Sequence, residues 1–307
     1  MNIIKIITFT GLASFSFNGV SATCSCAGVP LLNSMNTASV DKNQWLLNVT
    51  YEHHEMNKLY SGSDEVNDET NRKRETDSTI IQVDYGINKD WSVSAMLSYI
   101  DHYREIGSSS NSRSAASGIG DGLVLLKYTP QQIDLFSKWE YAFGAGVKIP
   151  VGEDNATQNG VSLSEDMQPS SGSYSALVWG YLGYAFDQSA QTQVFMSSNY
   201  SLNQDNDRNY TNGNEFNIDI GGSYTTVQNW GFVAQLRYRT TKADERNSNA
   251  IPNTGGEWVD FIPSVQYRIN DKSAVNLGVR IPLYRNLDGA LQFTTSSAAT
   301  LSFSYAL

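Results

Sequence analysis

The sequence predicts an all-β protein: a transmembrane antiparallel up-and-down β-barrel of about 12 strands, with long extracellular loops and short periplasmic turns. Three observations carry this reading. The chain opens on an export segment, apolar and polar residues then alternate in segment after segment, and the connections between those segments alternate in length. No run of residues approaches the length of a membrane-spanning helix, and mean hydropathy is polar at -0.36.

The N-terminus reads as a signal peptide over residues 1–22. "MNIIK" supplies a basic start, "IITFTGLASFSF" an apolar stretch, and "VSA" a small-residue cleavage site. A retained buried segment is the bland alternative. Residues 23–43 form an N-terminal periplasmic segment that holds both cysteines, Cys24 and Cys26, in "TCSCAGVPLL". Export places them in an oxidising compartment, where they are candidates for a local disulfide or a redox role. Lipidation is disfavoured, because Ser21 stands where an aliphatic residue would precede Cys24.

The barrel is expected over residues 44–307. Strand one carries Trp45, Leu47, Val49 and Tyr51 on one face. The hairpin around "YGINKDW" follows, with Trp91, Val93, Ala95, Leu97 and Tyr99 opposite Ser92, Ser94, Met96 and Ser98. Strand four is "DGLVLLKY" and strand five "KWEYAFGAGVKIPVG"; the pairs "SYSALVWGYLGYAF"/"TQVFMSSNYS", "EFNIDIGGSY"/"WGFVAQLRYRT" and "WVDFIPSVQYRI"/"SAVNLGVRIPL" come next, then "TTSSAATLSFSYAL". In the sixth and seventh neither face is clearly apolar. Long polar stretches are expected at 55–77, 101–118, 152–172, 202–214 and 241–256, and short breaks at 88–90, 187–191 and 270–272. A soluble sandwich would not sort loop length by parity in this way.

Tyr51, Trp91, Tyr99, Trp139, Tyr141, Tyr224, Trp230, Tyr238, Tyr267 and Tyr305 fall near strand ends, as aromatic girdles at two membrane interfaces require. The apolar faces are therefore expected to meet outer-membrane lipid and the polar faces a lumen. Leu301, Phe303, Tyr305 and Leu307 resemble the C-terminal signal of bacterial outer-membrane proteins, which implies the barrel-assembly machinery as a partner, although that signal usually ends in an aromatic residue.

Net charge is -10, with 31 acidic and 21 basic residues, which argues against nucleic acid as a partner. Neither a phosphate-binding loop nor an esterase phrase is present, so no cofactor and no enzymatic activity are expected. His53, His54 and His102 end strands one and three and are candidate metal ligands, with rim polarity the blander reading. Ser98 and Ser108–Ser110 lie near His102 as candidate nucleophiles, and Asp205, Asp207 and Asn209 alternate without the glycine of a calcium loop. No metal site is expected from either group.

The candidate selectivity residues are those that alternation turns inward: Lys127, Lys138, Glu140, Lys148, Asp219, Arg237, Arg239, Asp260, Arg268 and Arg280, with Asp84 and Asp121 beside them. These charges either line a selective path or neutralise one another. On the late strands only Asp260 is an evident acid, so Arg237, Arg239, Arg268 and Arg280 are expected to form an under-neutralised patch that favours anions.

"VDYGINKDWSVSAMLSYI", "GIGDGLVLLKY", "AFGAGVKIPVGED" and "MQPSSGSYSALVWGYLGY", in that order, resemble the phenol-degradation-pathway (MetA-pathway) family of outer-membrane transporters, over roughly residues 80–307. The resemblance implies passive transport of a small solute, often hydrophobic or aromatic, and supplies no catalytic residues. The expected function is thus a channel for uptake or efflux of a small solute. A surface barrel that binds a partner through its outer loops, or a sheath for a redox partner, is the alternative.

Overall fold

The computed structural model describes residues 40–107, 113–130, 138–187 and 191–307. The expectations for the signal peptide, for Cys24 and Cys26 and for Ser108–Ser110 fall outside them. The architecture is a closed antiparallel barrel: β1 (Trp45–Met56), β2 (Lys73–Gly86), β3 (Trp91–Glu105), β4 (Arg113–Tyr128), β5 (Trp139–Ile149), β6 (Ser175–Ala185), β7 (Thr192–Asn203), β8 (Glu215–Thr225), β9 (Trp230–Thr241), β10 (Gly256–Asn270), β11 (Ser273–Thr294) and β12 (Ser297–Ala306). Each strand pairs with the next, and β1 pairs with β12 from Leu46–Ala306 to Glu55–Ser297, which closes the ring. Closure satisfies every ladder and leaves no open edge in hydrocarbon.

The alternation splits as expected. On β3, Ser92, Ser94, Met96 and Ser98 are buried in the interior, while Trp91, Leu97 and Tyr99 are exposed outside. At the short-turn rim, four Trp–Tyr pairs sit directly opposite one another across strands: Trp45–Tyr85, Trp91–Tyr128, Trp139–Tyr184 and Trp230–Tyr267, with ring centroids 4.4–4.8 Å apart. Toward the other rim Tyr238, Val259 and Tyr284 align in register. Val275, which is opposite Tyr267, and Tyr284 lie nine positions apart along β11. At about 3.3 Å per residue and a tilt of about 40°, they span about 23 Å, the height of an outer-membrane apolar band. Val178, Ile220, Leu277 and Leu283, all between 57% and 59% exposed, lie on the outer face. A continuous belt of that kind needs lipid as its solvent.

The short turns are fixed by local side-chain caps. Asn88 Oδ1 accepts the amides of Asp90 and Trp91; Asn270 Oδ1 accepts those of Lys272 and Ser273; Asp187 accepts those of Gln191 and Thr192. At the other rim the loops are shorter than expected because strands run on into polar sequence. Residues 73–77, 101–105 and 113–118 belong to β2, β3 and β4, and β11 continues to Thr294. Above the lipid both faces of a strand meet polar surroundings, so hydropathy stops alternating while the hydrogen-bond ladder continues. A small hairpin, Lys58–Gly62 with Asp64–Val66, lies against the overhang of β11, where Met56, Leu59 and Phe293 form a minor core.

The interior is not uniformly wet. Ile80, Met96, Leu123, Leu125, Ala142, Leu177 and Trp179 pack into an apolar cluster inside the barrel, with Tyr181 against it. This explains why the sixth and seventh segments lack a clear apolar face: β6 is apolar toward lipid through Val178 and Leu182 and toward the cluster through Leu177 and Trp179. The packed side narrows the lumen toward β7–β12 and β1.

Candidate functional site

The half of the lumen next to the short turns holds a cavity of about 460 Å³. Thr225 and Gly231 flank the β8–β9 turn and line it, which sets it at that rim. One wall carries Ile80, Tyr181 and Phe195, with Val233 and Ile262 nearby. Trp179, Tyr181 and Phe195 form a stacked ladder, with centroid spacings of 6.3 and 6.4 Å. The facing wall is polar through Asn48, Gln266 and Asn276, and Gln193 lies beside Phe195; their amides make no side-chain hydrogen bond to the described residues. Asn48, Gln193 and Asn276 are half-buried and Gln266 is exposed, so these amides are open to solvent from the lumen.

The inner end of the cavity is capped by Glu52, Arg237 and Arg280. Glu52 bridges Arg280 at 3.0 Å and His54 Nε2 at 2.9 Å. Arg237 donates two hydrogen bonds to Asp219, at 2.7 and 3.2 Å. Beyond this cap, Arg239 lies 3.6 Å from Glu215 and 3.9 Å above the Trp258 ring, and Arg285 pairs with Asp260 at 2.5 Å. Across the barrel, Asp84 accepts from Gln82, Ser94 and Lys127, and Lys127 stands over the Trp179 ring.

The expected under-neutralised arginine patch is therefore not present. Three of its four members are paired: Arg237 with Asp219, Arg280 with Glu52 and Arg239 with Glu215. The missed acids were legible by parity, since Glu52 follows Asn48 and Thr50 on the inner face of β1 and Glu215 precedes Asn217 and Asp219 on that of β8. Arg285 was missed because its segment reads as loop once alternation ends. Arg268 is exposed at the short-turn end and has no ion pair with the described residues. Glu140 faces inward and likewise has none. Lys148 is buried beside Asp121 at 2.9 Å, whereas Lys138 is exposed at the rim, where it donates to the Phe186 carbonyl. It lies outside the lumen because β5 starts only at Trp139.

The histidines do not converge. Adjacent strand residues face opposite ways, so His53 points outward to Asp77 while His54 points inward to Glu52. His102 faces inward and contacts Thr76 Oγ1 and Arg74, and Ser98 donates to the Asp121 carbonyl. No metal-ligating group of three is found among the described residues. In the β7–β8 loop Asp205 accepts from Thr211, and Asn206 caps Arg208 and Tyr210.

The outer half is packed. Inward-facing Met56, Arg74, Thr76, His102, Ser201, Glu215, Arg239 and Trp258 are all buried. The β5–β6 loop, residues 150–174, dips into this mouth, with Met167, Gln168 and Ser170 buried. Its Glu165 accepts from Arg208 at 2.6 and 2.9 Å and from Arg246 at 3.1 Å. The Glu165 hydrogen bond raises the Arg208 guanidinium above its ordinary value, against the opposing effect of burial.

The family described as "Putative MetA-pathway of phenol degradation" matches residues 60–286. The chain belongs to that family. It is similar in structure to an outer membrane channel from Pseudomonas putida F1, with 10% identity and a TM-score of 0.70 over 88% of this chain and 97% of that one. Weaker likenesses are to the β domain of the Bordetella autotransporter Brka (9% identity, TM-score 0.49, 87% and 100% covered) and to the NanC porin (12% identity, TM-score 0.48, 85% and 100% covered). No curated protein matches the sequence. The closed barrel, its lipid-facing band and its girdles place this family member in the outer membrane.

Proposed function

We propose that this protein is a passive, non-enzymatic outer-membrane channel for a small amphipathic solute, with an apolar or aromatic body and an anionic end. The observation that carries the reading is the cavity of about 460 Å³, which has the Tyr181–Phe195 ladder on one wall and Arg237 and Arg280 at its inner end. The ladder offers a flat apolar face, while a guanidinium already held by an acid can share a hydrogen bond with a solute carboxylate. Because the charges that line the cavity are paired, the channel discriminates by shape and polarity more than by net charge, and inorganic ions pass with weak preference.

The test is a planar bilayer in a salt gradient, together with liposome swelling in aliphatic and aromatic carboxylates. Wild-type protein is expected to give a reversal potential near zero and to admit aromatic carboxylates faster than sugars of equal size. Arg280→Gln leaves Glu52 without its guanidinium at the cavity end and is expected to shift preference toward cations. Equal rates for sugars and aromatic carboxylates would contradict the proposal. The packed outer half favours a second reading, a surface barrel that binds a partner without transport. Absence of conductance in folded, reconstituted protein and in every variant would favour it.

A further inference from the structure

The β5–β6 loop is more than a covering of the outer mouth. β4 carries a bulge opposite Ser98, where the register shifts and both Gly120 and Asp121 turn inward. Asp121 there receives Lys148 at 2.9 Å, Ser170 Oγ at 2.5 Å and Ser171 Oγ at 2.7 Å, which seats the descending part of the loop on the barrel wall. Glycines let it come close: a Cβ at Gly118 would lie 3.4 Å from Pro169 Cγ, and one at Gly120 would lie 3.1 Å from the Pro169 carbonyl oxygen. Arg74 holds Asp166 at 2.8 Å from the inner side.

The outward side is held differently. Arg208 and Arg246 come from two other loops, which a short pairing of Tyr210–Thr211 with Glu245–Arg246 brings together. Both guanidiniums meet on Glu165, and Arg208 also takes Asp154 at 2.9 Å. These contacts are about one-third to one-half exposed on the arginine side, unlike the buried seat. The seat also leaves Arg74 Nε and Asp166 Oδ1 buried with no partner among the described residues, so the closed position is incompletely satisfied.

We propose that residues 150–174 are a lid that closes the long-loop mouth, and that Arg208, with Arg246, is the latch that sets how often it opens. This rests on the channel reading for its consequence, but lid movement can be read without conduction. Gly118→Cys, in a Cys24→Ser/Cys26→Ser background, sits beneath Pro169 and reports opening through its rate of reaction with a water-soluble maleimide. Adding Arg208→Gln and Arg246→Gln is expected to raise that rate at least about tenfold, since the bidentate, charge-assisted clasp is lost. Pro169 Cβ lies 3.5 Å from a Cβ at Gly118, within disulfide range, so Gly118→Cys/Pro169→Cys locks the lid on oxidation. Locked protein is expected to hold its low conductance with or without the latch, and reduction to restore the latch-dependent openings. Labelling rates that ignore Arg208 and Arg246 would overturn the lid, whatever the conductance, as would equal, non-zero conductance for locked and unlocked protein. Faster labelling with no conductance in any variant would leave the lid standing and overturn the channel.

Discussion

An arginine scan along β11 tests which face of the wall meets lipid. Leu277 and Val279 face outward and are 57% and 43% exposed, while Asn276 lines the cavity. Val275, opposite Tyr267, marks the lower girdle. Leu277 lies two residues above it, about 5 Å along the membrane normal, and Val279 about 10 Å, given a rise of about 3.3 Å per residue and a tilt of about 40°. The middle of a 25 Å band is about 12 Å from the girdle, so Val279 is close to the midplane and Leu277 less than halfway to it. Arginine costs about 2–4 kcal/mol at the midplane and about 0–1 kcal/mol at the interface. Val279→Arg should therefore cost about 2–4 kcal/mol, Leu277→Arg about 1–2 kcal/mol and Asn276→Arg less than about 0.5 kcal/mol. The assay is reversible denaturant unfolding in lipid vesicles, followed by heat-modifiable gel mobility and tryptophan fluorescence. A cost for Asn276→Arg equal to that for Val279→Arg, or no increase from Leu277 to Val279, would refute the assignment of faces.

Asp219→Asn leaves Arg237 buried without its carboxylate and should destabilise the barrel by about 3–5 kcal/mol; Asp219→Asn with Arg237→Gln should recover part of this in a double-mutant cycle on unfolding midpoints. In the β1–β2 loop, burial favours protonation of Asp68, but hydrogen bonds from Arg72 and Thr70 prevail and hold its carboxyl at about 2. Its folded value lies below the unfolded one, so its contribution is fully present above the ordinary carboxylate range and is lost as pH falls toward 2. Protease cleavage in residues 57–72 should accordingly stay slow down to about pH 4 and accelerate below it, with Asp68→Asn removing that dependence.

The barrel itself was legible because lipid enforces period-2 alternation on every strand, and Trp91, Leu97, Leu277 and Phe303 all face as their parity predicts. Parity also placed Arg237, Asp219 and Lys127 inside. It could not say how they pair, because partners such as Glu52 and Arg280 are 228 residues apart and meet only through closure of the ring. Nor could it distinguish a wet interior face from a packed one. By parity Ser98 belongs to the wet face, yet it is 2% exposed, hydrogen-bonded to the Asp121 carbonyl and close to Gly120, so arginine there would overpack rather than hydrate. The lid was invisible for a related reason. Its serines and glycines carry no periodicity, and its position depends on Arg74, Arg208 and Arg246, which come from three other parts of the chain.

The division of the lumen into a hydrated half and a sealed half is tested most directly by comparing two inward-facing cysteines, Asn276→Cys and Ser201→Cys, in protein lacking Cys24 and Cys26. Asn276 lines the open cavity, whereas Ser201 is 4% exposed in the packed outer half. With a small water-soluble maleimide applied to folded, reconstituted protein, labelling is expected to be rapid at 276 and slower by at least about a hundredfold at 201, the factor that sealing by about 2.7 kcal/mol imposes. Equal rates at the two positions would contradict it.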